Sequence, residues 1–174
     1  MRDLLITAIV LGSLPLIMKS PYIGVLMWSW IGYMNPHRLA YGFAIEFPFA
    51  KIVGVVTIAA LLLSREEKSI SWSREIVLLA CFNVWMTVTT IFSMNPVEAW
   101  PQWEKVIKIQ LMVFITVMLI RDRDKLESLI WVIVVSLGYY GVKGGLFSIL
   151  TGGQHLIWGP DGSFIAGNNE IGLA

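Results

Sequence analysis

Apolar residues along the chain are gathered in long runs that short polar clusters interrupt, without the alternation expected of strands. A helix needs about 20 residues to cross a hydrocarbon core of about 30 Å. The pattern therefore predicts an all-α, polytopic helical membrane protein with about six transmembrane segments and the start of a seventh near residue 171. The six runs cover residues 4–18, 22–34, 47–63, 76–94, 106–120 and 126–150.

The composition agrees with a membrane protein and excludes other classes. Hydrophobic residues make up 56% of the 174 residues, charged residues make up 14%, and the mean hydropathy is +0.71. Soluble domains carry about 25% charged residues. The net charge of +1 and the lack of a basic tract argue against nucleic-acid binding. No spacing of His, Cys or carboxylate residues predicts a metal site, and no motif predicts a cofactor.

The first two runs allow two topologies. Lys19, Ser20 and Pro21 separate them, so residues 4–34 form either a hairpin of two short spans or one kinked crossing. Proline after a lysine favours a turn, and hence the hairpin. The side of the membrane that holds the N-terminus depends on this choice.

The loops differ in basic charge. Residues 64–75 and 121–125 contain three Lys or Arg residues each, whereas residues 95–103 and 151–169 contain none. By the positive-inside rule, the first pair of loops is cytoplasmic and the second pair faces outward, together with residues 35–47. Localisation to the bacterial inner (cytoplasmic) membrane as a multi-pass protein follows from this pattern and from the resemblance described below.

Four lysines depart from the positive-inside pattern because they approach the outer leaflet. Lysine inside a membrane helix usually snorkels to headgroups, pairs with an acid, or faces a cavity. Glu104 lies four residues before Lys108, so a local ion pair is one interpretation, and a site for an anionic ligand is another. His37 and His155 lie in outward loops beside no triad or metal-ligand spacing. The lysines are Lys51, Lys105, Lys108 and Lys143.

Glycine and proline give further local predictions. Gly138, Gly141 and Gly145 would form a smooth helix face that meets a neighbouring helix. Pro96 would end one helix after Asn95, and Pro101 would start the next.

Several motifs, taken in order, resemble the N-terminal region of the bacterial O-antigen ligase and polymerase superfamily. They are "MRDLL", "YMNPHRLAYGFA" followed by "FPFA", "NPVEAWPQWEKVIKI" and "GSFIAGNNEIG". The nearest likeness is to the O-glycosylation ligases associated with exosortase A systems, and it covers essentially all 174 residues.

The resemblance implies an enzyme that transfers a glycan from a polyprenyl diphosphate carrier to a protein or lipid acceptor on the outward face of the membrane. Residues 1–174 would then be a single N-terminal transmembrane domain of a longer chain, with catalytic residues beyond residue 174 and no metal or cofactor. Its partners would be the polyprenyl diphosphate-linked glycan, membrane lipid and the acceptor. A transporter or flippase-like protein and a non-catalytic membrane subunit are the alternatives.

Candidate substrate-binding residues follow from charge and from the closing motif. Arg38, Lys51, Lys105 and Lys108 could hold the diphosphate. The resemblance matches Asn168, Asn169 and Glu170 to a motif that leads from an outward loop into a helix. Asn169 would cap that helix through its side-chain oxygen, and direct contact with substrate is the alternative.

Overall fold

Each apolar run folds into one helix, and the helices end at the proline, asparagine and charged residues between the runs. The computed structural model describes residues 1–64, 72–160, 162–163 and 165–173, and all regular structure in these residues is helical. Two short 3-10 helices, Pro36–Leu39 and Phe43–Ile45, lie between α2 and α3. The all-α prediction is confirmed. The α-helices are α1 (Arg2–Lys19), α2 (Pro21–Met34), α3 (Phe49–Leu63), α4 (Arg74–Ile91), α5 (Pro96–Leu119), α6 (Arg123–Leu150) and α7 (Asn168–Leu173).

Residues 4–34 form two helices, as the hairpin interpretation predicted. Ser20 is extended, with φ −143° and ψ 107°, and Pro21 occupies the first position of α2, where its missing N–H costs nothing. The Asp3 carboxylate at the start of α1 accepts hydrogen bonds from the backbone N–H groups of Gly42 (3.0 Å) and Ala44 (3.4 Å). The start of α1 therefore lies beside the loop that follows α2, so the two helices are antiparallel.

The chain groups into two compact units, of which the first comprises Met1–Ser64 and Asp122–Ala174. Its core is built from apolar side chains of α1, α2 and α3 and of the loop between α2 and α3. Helix α6 lies parallel to α2, because the Tyr22 hydroxyl donates to the Lys125 carbonyl (3.1 Å) and the Tyr140 hydroxyl donates to the Met34 carbonyl. The core residues are Ile6, Val10, Ile17, Ile31, Ala40, Ala44, Phe49, Val53 and Ala60.

The contact between α2 and α3 is closest at Gly24. A Cβ atom added there would lie 2.0 Å from Thr57 Oγ1 and 2.9 Å from Thr57 Cβ. Thr57 is fully buried, and its hydroxyl donates to the Val53 carbonyl within α3 (2.7 Å). Small residues allow membrane helices to approach closely in this way, and the hydroxyl stays satisfied inside its own helix.

The second unit, Arg65–Arg121, contains the α4–α5 hairpin. The Trp103 indole N–H donates to Thr87 Oγ1 (3.0 Å) and joins the two helices. Helix α5 begins at Pro96, so the prediction that Pro101 starts this helix is wrong. Proline at the first position accounts for the start, whereas Pro101, the sixth residue, lies inside the helix and removes the hydrogen bond to the Val97 carbonyl.

In the part of the chain that the structure describes, two of the predicted spans, α4 and α6, are helices long and apolar enough to cross a membrane, and α3 is a shorter apolar helix. Only 17% of each spanning stretch is buried within the described protein, so most of its apolar surface is uncovered. This composition and exposure indicate membrane association.

We expect Gly24→Ala to destabilise the first unit by about 1–3 kcal/mol, since the added methyl group overpacks a buried contact. Gly32→Ala is the matched control in the same helix, because a Cβ atom there meets nothing within 4 Å. Thermal unfolding in detergent measures both variants. Equal stability of the two would contradict the close contact at Gly24.

Candidate functional site

A groove of about 360 Å³ lies in the first unit, between the second half of α6 and the segment 156–160. Helix α6 contributes Tyr140, Lys143, Gly144 and Phe147 to its lining. Leu39 and Ile171 complete the wall. The lining is mostly apolar, as is usual for small-molecule sites.

Glycine at position 144 brings the two walls together. A Cβ atom on Gly144 would lie 3.0 Å from Ile157 Cγ2, so the segment rests directly on the helix backbone. The predicted packing face of Gly138, Gly141 and Gly145 is not the one used, because none of the three has a described neighbour within 4 Å of an added Cβ atom.

The outer wall of the groove is held by the chain that follows it. The Gly159 N–H donates to the Ala166 carbonyl (3.2 Å). A Cβ atom at Gly159 would lie 1.8 Å from the Ile165 carbonyl oxygen, so only glycine permits this approach. The Ile157 N–H donates to Asn168 Oδ1 (3.2 Å), and Ile165 is buried. The groove therefore depends on residues 165–168.

The three residues of the closing motif have different positions. Helix α7 begins at Asn168, whose side chain supports the groove wall. Asn169 lies in the first turn of α7 and is exposed, so the prediction that it caps the helix is wrong. Glu170 is also exposed, and its carboxylate lies against Gly167.

Among the described residues that line the groove, Lys143 is the one with a cationic side chain. It lies 20 residues after Arg123, the start of α6, or about 30 Å along the helix axis. That length matches the hydrocarbon thickness of a bilayer, so Lys143 reaches the opposite interface from Arg123 if α6 crosses a membrane. The Tyr140 hydroxyl donates to the Met34 carbonyl, so Tyr140 contributes mainly its ring to the groove lining. An ammonium group beside apolar and aromatic walls suits an amphiphile with an anionic head.

The four predicted diphosphate-binding cations do not line this groove. The Arg38 guanidinium lies against Gly162, where an added Cβ atom would be 2.7 Å from its Nη1. Lys51 is exposed in the first turn of α3. Lys105 and Lys108 belong to the second unit, and Lys108 pairs with Glu104, as the ion-pair interpretation predicted.

Sequence reasoning singled out Lys143 but missed its surroundings. The available signal was the pair Gly152 and Gly153, which both have positive φ (63° and 75°) and reverse the chain after α6. This reversal brings Trp158 back to the helix. The pattern of apolar residues alone does not indicate such a return.

His37 lies in the loop between α2 and α3, and its pKa is lowered from 6.5 by burial and, to a smaller degree, by the neighbouring Arg38. It is therefore protonated less readily than an ordinary histidine, which makes it a poor source of positive charge for an anion. Its Nδ1 is buried and has no hydrogen-bond partner among the described residues. His155 packs on Phe147, with 6.2 Å between ring centroids.

We expect Asn168→Ala to loosen the outer wall of the groove, since loss of one hydrogen bond costs about 0.5–1.5 kcal/mol. Deuterium uptake by the backbone of residues 154–160 should increase. Asn169→Ala is the matched control, and Asn168→Asp keeps an acceptor oxygen and should restore protection. Equal uptake in the Asn168→Ala and Asn169→Ala variants would contradict this role.

The lowered pKa of His37 makes stability depend on pH. Because the unfolded chain binds a proton more readily than the folded chain, the free energy of unfolding should fall as pH decreases through 6.5. His37→Gln should be less sensitive than the wild type between pH 7 and pH 5. Unfolding in detergent across this range measures the difference, and parallel curves would contradict it.

Comparison with known proteins gives one match. A search of curated proteins and a search of solved structures each returned no significant match. Residues 1–170 match a family of unknown function, DUF5935. This match spans nearly the whole chain, and the protein therefore belongs to the DUF5935 family.

Proposed function

We propose that the protein is a multi-pass component of the bacterial inner membrane that binds the anionic head of a polyprenyl diphosphate-linked glycan in the groove beside Lys143. In this proposal it forms the membrane part of an enzyme that transfers the glycan to a protein or lipid acceptor on the outward face.

The observation that carries the proposal is the position of Lys143 in the groove. The ammonium group of Lys143 lies in a wall whose other described residues are mostly apolar or aromatic, in the second half of a helix of membrane-spanning length. A polyprenyl diphosphate has the matching chemistry, with an apolar chain joined to a phosphate group. Lysine binds phosphate as a compact point charge.

The distribution of basic residues supports an outward orientation of the groove. Arg121, Arg123 and Lys125 lie at or beside the start of α6, and Lys143 and segment 156–160 lie toward its other end. The positive-inside rule puts the start of α6 in the cytoplasm. Arg65 and Lys68, on which the other cytoplasmic loop prediction depends, lie outside the described residues, as do positions 161 and 164 of the outward loop.

The chemistry of transfer defines what the groove would contribute. An acceptor hydroxyl attacks the anomeric carbon, the bond from that carbon to the diphosphate oxygen breaks, and the hydroxyl proton passes to a base. The diphosphate carries the released electron pair, so a fixed cation beside it stabilises the leaving group. In this proposal Lys143 takes that role, whereas Arg38, Lys51, Lys105 and Lys108, which do not line the groove, take no part in it. The base would come from catalytic residues beyond position 174, as the superfamily resemblance implies.

Binding of farnesyl diphosphate, a short polyprenyl diphosphate, to the protein in nanodiscs tests the groove. Lys143→Ala should weaken binding about tenfold or more, because a hydrogen bond to a charged group contributes about 1.5–3 kcal/mol. Lys143→Arg keeps the charge and should retain most of the affinity. Farnesol, which has no phosphate, should bind wild type and Lys143→Ala equally.

Lys51→Ala is the matched control for charge removal, since Lys51 is an exposed lysine of the same unit that does not line the groove. Farnesyl diphosphate binding that is unchanged in Lys143→Ala would contradict the proposed site. An equal loss in Lys51→Ala would indicate a general electrostatic effect and would also contradict it.

One observation favours the transporter or flippase-like alternative. Asn83 lies at the middle of α4, and its Oδ1 is buried without a hydrogen-bond partner among the described residues, as is Gln110 Oε1 in α5. Polar side chains in the middle of membrane helices often mark a substrate path. An assay in reconstituted vesicles discriminates the two functions by following a fluorescent polyprenyl diphosphate between the two leaflets. Movement in the wild type that is lost in Asn83→Leu would favour transport. A protein that binds the lipid and neither moves it nor supports glycan transfer would be a non-catalytic subunit.

A further inference from the structure

We propose that an apolar collar on the first unit inserts into the headgroup region of the outer leaflet, so that its partner is the lipid surface itself. The collar consists of Tyr41, Phe43, Ile45 and Phe47 from the loop between α2 and α3, together with Leu156 and Trp158 from the groove wall. This inference goes beyond the proposed function and holds whether or not the groove binds a diphosphate.

The collar residues are large, apolar or aromatic, and exposed. Tyr41 is 88% exposed and Phe43 57%, while Leu156 and Trp158 are 61% and 66% exposed. Isolated exposed apolar residues are common, but four in one short loop, together with two in the groove wall that Leu39 also lines, indicate an interaction surface. Tyrosine and tryptophan favour the membrane interface, where the ring meets acyl chains and the polar atom meets water.

The loop presents these side chains through a fixed backbone. Ala40, Ala44 and Phe49 are buried in the core, whereas Tyr41 and Phe43 point away from it. The Asp3 carboxylate holds the N–H groups of Gly42 and Ala44. Because the buried residues and Asp3 already anchor the loop, its exposed rings cannot turn inward without breaking these contacts.

The position of the collar matches the outer interface. The Tyr140 hydroxyl bonds the Met34 carbonyl, which places the end of α2 at the level of Tyr140, one turn before Lys143. The loop that carries Tyr41 continues from that end. Lys143 lies about 30 Å from the start of α6, which is about the thickness of a hydrocarbon core. If one membrane interface lies at Arg123, the collar therefore lies at the opposite interface.

The charges around the collar favour lipid over a protein partner. The Arg2 guanidinium lies 6.0 Å from the centroid of the Tyr41 ring, and its Nη1 is 3.5 Å from the Leu39 carbonyl oxygen. Arg38 is exposed at the base of the same loop. Basic groups beside interfacial aromatic rings are suited to anionic headgroups. Of the two acids beside the loop, Asp3 is held by the Gly42 and Ala44 N–H groups, and Glu46 is the acid within residues 40–47.

The collar also determines how the groove is reached. Leu156 and Trp158 belong both to the collar and to the groove lining, and Leu39 lines the groove just before the loop begins. With the collar in the outer leaflet, the groove opens toward lipid, and an apolar chain enters it without crossing water.

Site-directed fluorescence in vesicles of phosphatidylethanolamine and phosphatidylglycerol tests the collar. Cys81, the only cysteine, is first replaced by serine. Single cysteines are then introduced at Phe43 and at Trp158 and labelled with the environment-sensitive dye NBD. The control position is Gln154, an exposed polar residue close in sequence to Trp158.

We expect the labels at positions 43 and 158 to emit at shorter wavelength than the label at 154. Nitroxide-bearing lipids should quench them, and aqueous iodide should quench mainly the label at 154. Quenching of all three labels by iodide alone would overturn the proposal. Protection of positions 43 and 158 from both quenchers would show that protein covers the collar, and would overturn it as well.

Tyr41→Cys gives a second variant of the loop in case Phe43→Cys fails to fold. Its side chain has few contacts to lose because it is almost wholly exposed. Melting temperatures of all labelled variants identify the folded ones. The expectation for position 41 is the same as for position 43.

Discussion

The close contact between α2 and α3 at Gly24 is the interaction on which the rest of the first unit depends. Because Gly24 has no side chain, α2 lies directly against Thr57, and the same helix reaches α1 on one side and α6 on another. Its last carbonyl, at Met34, then receives the Tyr140 hydroxyl. These contacts fix the position of α6 along the axis of α2, and therefore the distance by which Lys143 lies beyond the end of α2. If these helices lie in a membrane, where apolar surfaces gain little by leaving lipid, close packing and a few hydrogen bonds must hold them together.

The groove arises because α6 is longer than the helices beside it. Its final turns extend past the end of α2, and the chain returns over them through two glycines with positive φ. At Gly144 the returning segment touches the helix backbone, and at Gly159 it touches the chain that leads to α7. Gly144 and Gly159 therefore determine how closely the returning segment approaches α6 and the chain that leads to α7. The cavity is therefore a result of backbone geometry, and Lys143 supplies its charge.

The helices and their order could be predicted from the sequence, because apolar runs and proline positions are local signals. The break at Pro21 and the pair formed by Glu104 and Lys108 follow from the same kind of evidence. Contacts between distant segments could not be predicted. Helical spacing selected Gly138, Gly141 and Gly145 as a packing face, but the face that is used holds Gly144, because Ile157 reaches the helix there. Asn168 likewise has a role that depends on Ile157, eleven residues earlier, and local capping rules carry no information about such a partner.

The bond between Asp3 and the loop has a consequence for biogenesis. It joins the first turn of α1 to residues 42–44, which are synthesised about forty residues later. If α1 and α2 cross a membrane, as proposed, the start of α1 and this loop must reach the same side before the bond can form. An error in the orientation of α1 relative to α2 would then leave the Gly42 and Ala44 amides without their acceptor.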